Sequence, residues 1–294
     1  MPAFIRRALG ATALVMATAL SPVPPAGADT EVQPAANVPQ AAWPSPSWIV
    51  ADMDSGQILA GQDHYMTNAP ASTIKVLLAL VAIDELALDQ TVVAVESDTD
   101  VECNCAGVKA GRTYTTRELL DGLLLVSGND AANTLARMLG GVDAAVAKMN
   151  AKAAALGATA TRAGSPSGLN GPGIDGYTNP HDLALIFRSA VDNPVFARIT
   201  ATPTAPFPGD DGPVTLINQD EMLGRYPGML GGKTGFTDVA RKTFVGAAAR
   251  DGRRLVVAMM YGLVVDGGPT YWDQATALLD WGFAQDRSVS IGTL

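Results

Sequence analysis

The sequence predicts an α+β domain in which an antiparallel sheet is made from both chain ends and a helical region is inserted between them. Three observations predict it. A hairpin pattern stands in the first quarter of the chain, a second stands near the C-terminus, and helix signals dominate the stretch between.

The elements follow in order. "SWIVADMDSGQILAGQD" carries apolar runs on either side of Asp54-Ser55-Gly56, a hairpin turn signal. Helix signals begin at Ser72 and run to about Leu86, and residues 90–114 read as mostly irregular. "TTRELLDGLLLV" opens with a capping box, Thr115 with Glu118 three residues on. After Val126 comes a turn, then a helix from near Asp130 to Gly140-Gly141. "DAAVAKMNAKAAALG" is the next helix, ended by Gly157. The Gly- and Pro-rich "GSPSGLNGPGIDGYTNP" leads into a helix with Pro180 in its first turn. Residues 202–228 read as loop, with a short strand at Val214–Asn218. "KTFVGAAARDGRRLVVAMMYG" forms the second hairpin, turning at Arg250-Asp251-Gly252-Arg253, and a final helix covers about 270–284. No internal repeat is visible. The junction of the helices with the late strands is the natural place for a cleft.

Composition narrows the function. A chain of 294 residues is one large domain or two small ones. The formal charge is −9 and no basic stripe is present, which argues against nucleic acid as a partner. Residues 1–28 read as an export signal: Arg6 and Arg7, an apolar run Leu9–Leu20, and a small-x-small site at Ala26-Gly27-Ala28. That run is short for a transmembrane helix, and no other stretch is long and apolar enough to span. Residues 29–44, rich in Pro, Ala and Gln, read as a disordered lead-in to a domain over 45–294. The mature chain is therefore expected to be exported, to the cell envelope or beyond, with no transmembrane domain. Cys103 and Cys105 form either a local disulfide or two inert thiols. Metal is disfavoured, because zinc wants four ligands and His64 and His181 lie far off in sequence.

One lysine stands out. From Val76 to Ile83 every residue is Val, Leu, Ala or Ile, so the helix is built for burial, yet Lys75 opens the run. A buried ammonium costs several kcal/mol unless it is paired or neutralised. Ser72 lies three residues earlier, on the same helical face. A desolvated lysine has a lowered pKa and can serve as a neutral base for a serine nucleophile. The bland alternative is a Lys75 that reaches to solvent beside an ordinary capping serine. Two further patterns weigh against it: Ser127-Gly128-Asn129 and Lys233-Thr234-Gly235. S-x-x-K, S-x-N and K-T-G are each weak alone; in this order they form the signature of penicillin-binding proteins and serine β-lactamases. Ser127 would relay a proton between Lys75 and a leaving nitrogen, and Asn129 would hold the substrate backbone. Lys233 would tune its neighbours by charge, Thr234 would meet a carboxylate, and Gly235 would let substrate lie along a strand edge. The bland readings are a turn and cap for Ser127 and Asn129, and a solvent-facing strand end for Lys233. His181 stands at a helix start and is left out of the chemistry.

At these residues the chain resembles the D-alanyl-D-alanine carboxypeptidases, the low-molecular-weight penicillin-binding proteins, and most of all their actinobacterial, mycobacterial-type members. "PASTIK", "LLLVSGNDAAN", "SPSGLNGPG" and "YPGMLGGKTGFT" look like family segments in family order. The resemblance implies a β-lactamase/transpeptidase-like fold and an acyl-enzyme on Ser72. It implies an oxyanion hole from the N–H groups of Ser72 and Phe236. The implied substrate is the D-Ala-D-Ala end of a peptidoglycan stem peptide, with β-lactams acylating the same serine; no cofactor or metal is implied. Many members add a β-rich C-terminal domain and an amphipathic membrane helix, which are expected to be missing here. Some bind the substrate carboxylate with a late Arg, but "GGPTYWDQ" has none, leaving Thr234 alone or with Arg241. A β-lactamase of this type needs a Glu between the second and third patterns. Only Glu221 lies there, in "NQDEML", so slow β-lactam hydrolysis is expected. An endopeptidase or transpeptidase would use the same residues. A silent wall-binding module is disfavoured by the intact trio.

Overall fold

The structure, a computed structural model, describes residues 38, 43–264 and 266–294. The export signal expected at 1–28, and most of the lead-in at 29–44, lie outside the described residues. Pro44 is described, and its carbonyl accepts from the Leu263 N–H at 2.8 Å.

The described elements begin with β1 (Ser47–Asp52) and β2 (Gln57–Gln62), after which the chain turns through a 3-10 segment at Ala71–Ile74 and enters α1 (Lys75–Glu85). Then come β3 (Thr91–Val93), α2 (Glu96–Thr99), β4 (Thr113–Thr115), α3 (Thr116–Leu125), α4 (Asn129–Met138) and α5 (Val142–Ala155). α6 (Pro180–Val191) and α7 (Pro194–Thr200) lead to β5 (Thr204–Gly209) and β6 (Gly212–Ile217). A 3-10 turn at Glu221–Gly224 precedes β7 (Met229–Thr237), β8 (Arg241–Arg250), β9 (Arg253–Gly262), α8 (Tyr271–Ala284) and β10 (Gly292–Thr293).

Among the described residues six strands form the main sheet, in the order β10-β2-β1-β9-β8-β7, with antiparallel pairing throughout. Both chain ends build it, as expected: Ile49 faces Ala258 across the β1–β9 pair. Successive residues of a strand point to opposite faces, and here both faces are buried. Ile49 and Ala51 enter one core with α1, α3, α4, α5 and α6, whereas Trp48 and Val50 enter a second core with α8. Helices therefore cover the sheet on both sides, and β7 forms one edge, beside the 3-10 turn that carries Ser72.

Three readings are corrected. Residues 90–114 are not simply irregular, since β3 pairs with β4 and α2 lies between them. Residues 202–228 contain a hairpin, β5 with β6, rather than one short strand. Ala205 and Phe207 are buried in alternation, as a strand requires, but Pro206, Pro208 and Pro213 masked the pattern. A two-stranded ribbon has outer edges where a missing N–H costs nothing. Finally, α7 and β10 were not foreseen. Asn193 caps α7 by accepting from the Val195 N–H at 2.9 Å, with Pro194 next. This repeats the Asn-Pro start of α6, where Asn179 accepts from the Asp182 N–H at 2.8 Å.

Candidate active site

Ser72 does not open the α-helix itself. It sits in the 3-10 turn just before α1, a tighter turn common at helix starts. The turn is held from three sides. Thr73 Oγ1 and Thr243 Oγ1 both donate to the Pro70 carbonyl, at 2.6 and 3.0 Å. Gly168 packs so close that a Cβ there would lie 1.9 Å from the Ala71 carbonyl oxygen. Ala71 has φ +48°, a left-handed conformation costly to a residue with a Cβ, and such strain persists only where the surroundings enforce it.

Lys75 is completely buried, so it does not reach to solvent. Its Nζ lies 2.7 Å from Ser72 Oγ, 2.7 Å from Asn129 Oδ1 and 2.9 Å from the Ser167 carbonyl. The last two atoms can only accept. A neutral amine has two N–H donors and one lone pair. With both donors committed, the lone pair is left for the Ser72 hydroxyl. The orientation of Asn129 is fixed by its other end, where Nδ2 donates to the Glu102 carbonyl at 2.7 Å. Burial holds the Lys75 pKa well below the usual lysine value; the charge of Lys233 lowers it further and Asp130 opposes.

Ser127 and Asn129 do not cap α4: Gly128 is its cap and no side chain bonds there. Ser127 is buried with φ +61°, and its Oγ has no hydrogen-bond partner among the described residues. Lys233 is only 1% exposed, so the solvent-facing reading is wrong for it as well. Its Nζ donates to the Thr234 carbonyl at 2.8 Å. Burial brings its pKa down to about 7, against the pull of Asp220. Asp220 is itself buried, its Oδ2 has no hydrogen-bond partner among the described residues, and its pKa is pushed up to about 6, chiefly by desolvation.

β7 passes directly beside the turn. A Cβ on Gly235 would lie 2.8 Å from the Ser72 nitrogen and 2.4 Å from Thr243 Oγ1. Only glycine lets the strand come that near. Phe236 is 57% exposed, so its side chain leaves the strand toward solvent. Ser72, Ser127, Asn129, Thr234, Gly235 and Phe236 all line one cleft of about 390 Å³. Lys75 and Lys233 lie beneath it. The three sequence patterns, spread over more than half the chain, thus converge on one site.

Some cleft residues were not anticipated. Cys103 lines it and is disulfide-bonded to Cys105, with 5.0 Å between their Cα atoms, which decides between the two readings of that pair. Lys242, Tyr271 and Trp272 also line it, with the Lys242 ammonium 5.1 Å from the Tyr271 ring centre. Arg241 is exposed and does not line the cleft. Glu221 does line it, but its carboxylate pairs with Arg225 at 2.7 Å. His181 lies elsewhere, 3.1 Å from the Asp182 carboxylate. No motif announced Asp220; an acid in "NQDEML" gives no periodic or spacing signal.

A family model described as D-alanyl-D-alanine carboxypeptidase matches residues 33–262. The chain belongs to the D-alanyl-D-alanine carboxypeptidase family. Among the family's members, the chain is 67% identical over 267 residues to the D-alanyl-D-alanine carboxypeptidase DacB2 of Mycobacterium tuberculosis, covering 91% of this chain and 92% of that one. A D-alanyl-D-alanine carboxypeptidase of a Streptomyces species is 30% identical, covering 74% and 79% respectively. A crystal structure of a D-alanyl-D-alanine carboxypeptidase from M. tuberculosis superposes with a TM-score of 0.87 at 68% identity, over 90% of this chain and all of that one. The crystal structure of the Streptomyces K15 DD-transpeptidase superposes with a TM-score of 0.76 at 27% identity, over 84% of this chain and 99% of that one. The fold is accordingly the β-lactamase/transpeptidase-like fold of penicillin-binding proteins, and the chain is a serine-type D-Ala-D-Ala carboxypeptidase, a hydrolase of the bacterial cell wall. No helix among the described residues is long and apolar enough to cross a membrane.

Proposed function

We propose that Ser72 is the nucleophile and Lys75 its base, acting on the D-Ala-D-Ala end of a peptidoglycan stem peptide outside the cytoplasm. The observation that carries this reading is the hydrogen-bond set of Lys75. Both of its neutral-state donors face obligate acceptors, and Ser72 Oγ is 2.7 Å away.

Ser72 Oγ attacks the carbonyl carbon of the penultimate D-Ala while its proton passes to Lys75 Nζ. The negative charge forming on the carbonyl oxygen is met by the N–H groups of Ser72 and Phe236. The buried, unpartnered Ser127 hydroxyl relays the proton to the leaving nitrogen, the C–N bond breaks, and D-alanine departs. Water then attacks the ester, frees the shortened peptide and restores Ser72. Asn129 holds Lys75 and the substrate backbone. Thr234, with the Lys233 charge behind it, receives the terminal carboxylate, and Gly235 lets the peptide lie against the strand. A β-lactam presents the same amide and acylates the same oxygen. The one Glu between the second and third patterns, Glu221, stands at the 3-10 turn just before β7, an unfitting place for a deacylating base, so the β-lactam ester is expected to persist rather than be turned over quickly.

Intact-mass spectrometry of the purified chain with excess penicillin tests the reading. One adduct, mapped to Ser72, is expected, with none in Ser72→Ala. A folded wild-type sample that forms no adduct at any concentration would overturn it. Product analysis on an acyl-D-Ala-D-Ala peptide with an added amine separates release of D-alanine from transfer to the amine.

A further inference from the structure

The segment that bears the disulfide also holds the active-site asparagine. Asn129 N–H donates to the Asn104 carbonyl at 2.7 Å, and Asn129 Nδ2 donates to the Glu102 carbonyl at 2.7 Å. Asn104 is the residue enclosed by the Cys103–Cys105 ring, and Glu102 immediately precedes it. Asn129 Oδ1 is in turn one of the two fixed acceptors of Lys75. A continuous chain of short contacts therefore runs from the disulfide through Asn129 to the amine beside Ser72. Further along, the N–H groups of Ala106, Gly107 and Val108 all donate to the Asp130 carboxylate, at 2.8, 2.9 and 2.8 Å. The downstream half of the loop is thus anchored by a buried acid. The upstream half, residues 102–105, is exposed or half-buried on the cleft rim, and the disulfide is the covalent restraint on it.

We propose that the Cys103–Cys105 disulfide is a positioning element of the active site, which fixes Asn129 through the Glu102 and Asn104 carbonyls and makes acylation redox-sensitive. The sulfurs touch no reacting atom; they act through Asn129. A dithiol reductant attacks one sulfur, forms a mixed disulfide, and is released as its own cyclic disulfide. Cys103 and Cys105 thereby gain two electrons and two protons and become thiols. The ring around Asn104 opens, residues 102–105 regain rotational freedom, and both acceptors of Asn129 lose their fixed places. Asp130 keeps the rest of the loop in position, so the effect falls on the rate rather than on the fold.

This inference rests on acylation at Ser72, and the test separates the two. The full chain is assayed for its acylation rate by a fluorescent penicillin, oxidised, reduced by dithiothreitol, and reoxidised. Mass spectrometry verifies the gain of two hydrogens, and thermal melting verifies the fold. If the oxidised protein is not acylated, the Ser72 reading fails. If it is, reduction is expected to slow acylation about five- to tenfold, the scale of one lost hydrogen bond to a reacting-site group, with recovery on reoxidation. The double variant Cys103→Ser, Cys105→Ser should match the reduced protein. In Asn129→Ala, which keeps the N–H link to Asn104 but loses the side-chain links to Glu102 and Lys75, the gap between oxidised and reduced rates should shrink, which a general structural role of the disulfide would not produce. Should that variant react too slowly to compare, exchange of the Asn129 amide proton in the wild type decides. Protection that drops on reduction supports the proposal. An acylation rate unchanged by verified reduction, an equal effect in Asn129→Ala, or unchanged amide protection would overturn it.

Discussion

Lys75 and Lys233 put two lysine amines in the interior beside one cleft, and the site keeps them usable by lowering their proton affinity. This has a cost that pH reveals. The Lys233 pKa is about 7 in the folded chain against 10.5 unfolded, so between those values the unfolded chain holds more protons, and stability rises with pH across that window. Asp220 runs the other way. With a folded value of about 6 against 3.8, the native chain holds the extra proton, and stability falls as pH rises from 3.8 to 6. Together they place a trough of stability between pH 6 and 7. Lys233→Met should flatten the upward arm, leaving the rise contributed by Lys75. Urea midpoints at pH 7 and pH 9 check this; equal increments in variant and wild type would show that the Lys233 proton is not perturbed. At this scale much was legible. An ammonium at the head of a wholly apolar run has few explanations, and the S-x-N and K-T-G patterns selected among them. Asp220 and the Cys103–Cys105 rim were not legible as site components, because their roles come from contacts between residues distant in sequence, which no local pattern encodes.

The edge strand β7 serves as one wall of the site, and its fit depends on the missing side chain at Gly235. Gly235→Ala would place a methyl 2.8 Å from the Ser72 nitrogen and 2.4 Å from Thr243 Oγ1, the hydroxyl that pins the Pro70 carbonyl. Strand or turn must shift, and either moves an N–H proposed to meet the oxyanion. Acylation is expected to fall at least about a hundredfold, the scale of one lost oxyanion donor. Circular dichroism should still report a folded chain. A variant acylated at the wild-type rate would mean that the strand has slack there. Some elements with local signals were read correctly, though the Asn193-Pro194 start of α7 was passed over: the Thr115–Glu118 capping box forms, with Glu118 Oε2 accepting from the Thr115 N–H at 2.7 Å. The β5–β6 hairpin was hidden by its prolines, and β10 is two residues long, too short for any periodicity to show.

Across the main sheet, a buried ion pair joins an early strand to a late one. Arg253 Nε donates to Asp52 Oδ2 at 2.7 Å, and its Nη1 donates to the Gly282 and Gln285 carbonyls at 3.2 and 2.8 Å. β1, β9 and the end of α8 are thereby tied at one point. Arg253→Met would leave Asp52 Oδ2 without its cation and free both carbonyls, while Oδ1 keeps the N–H groups of Asp54 and Ser55, a loss of about 3 kcal/mol, the low end for a broken buried pair. Denaturant unfolding measures it, and a loss below about 1 kcal/mol would mean that water repairs the site. Asp52 and Arg253 are 201 residues apart. The strands that bear them are neighbours in the middle of the sheet, so the two halves of the sheet cannot join until β9 has left the ribosome. Closing so long a loop is entropically expensive before any contact rewards it, and chains dominated by such distant pairings fold slowly. The helices between, built from nearby residues, can form first. The cleft needs Ser72 from the early part and Gly235 from the late part, so reactivity toward penicillin should appear only in the last phase of refolding, together with the β1–β9 seam.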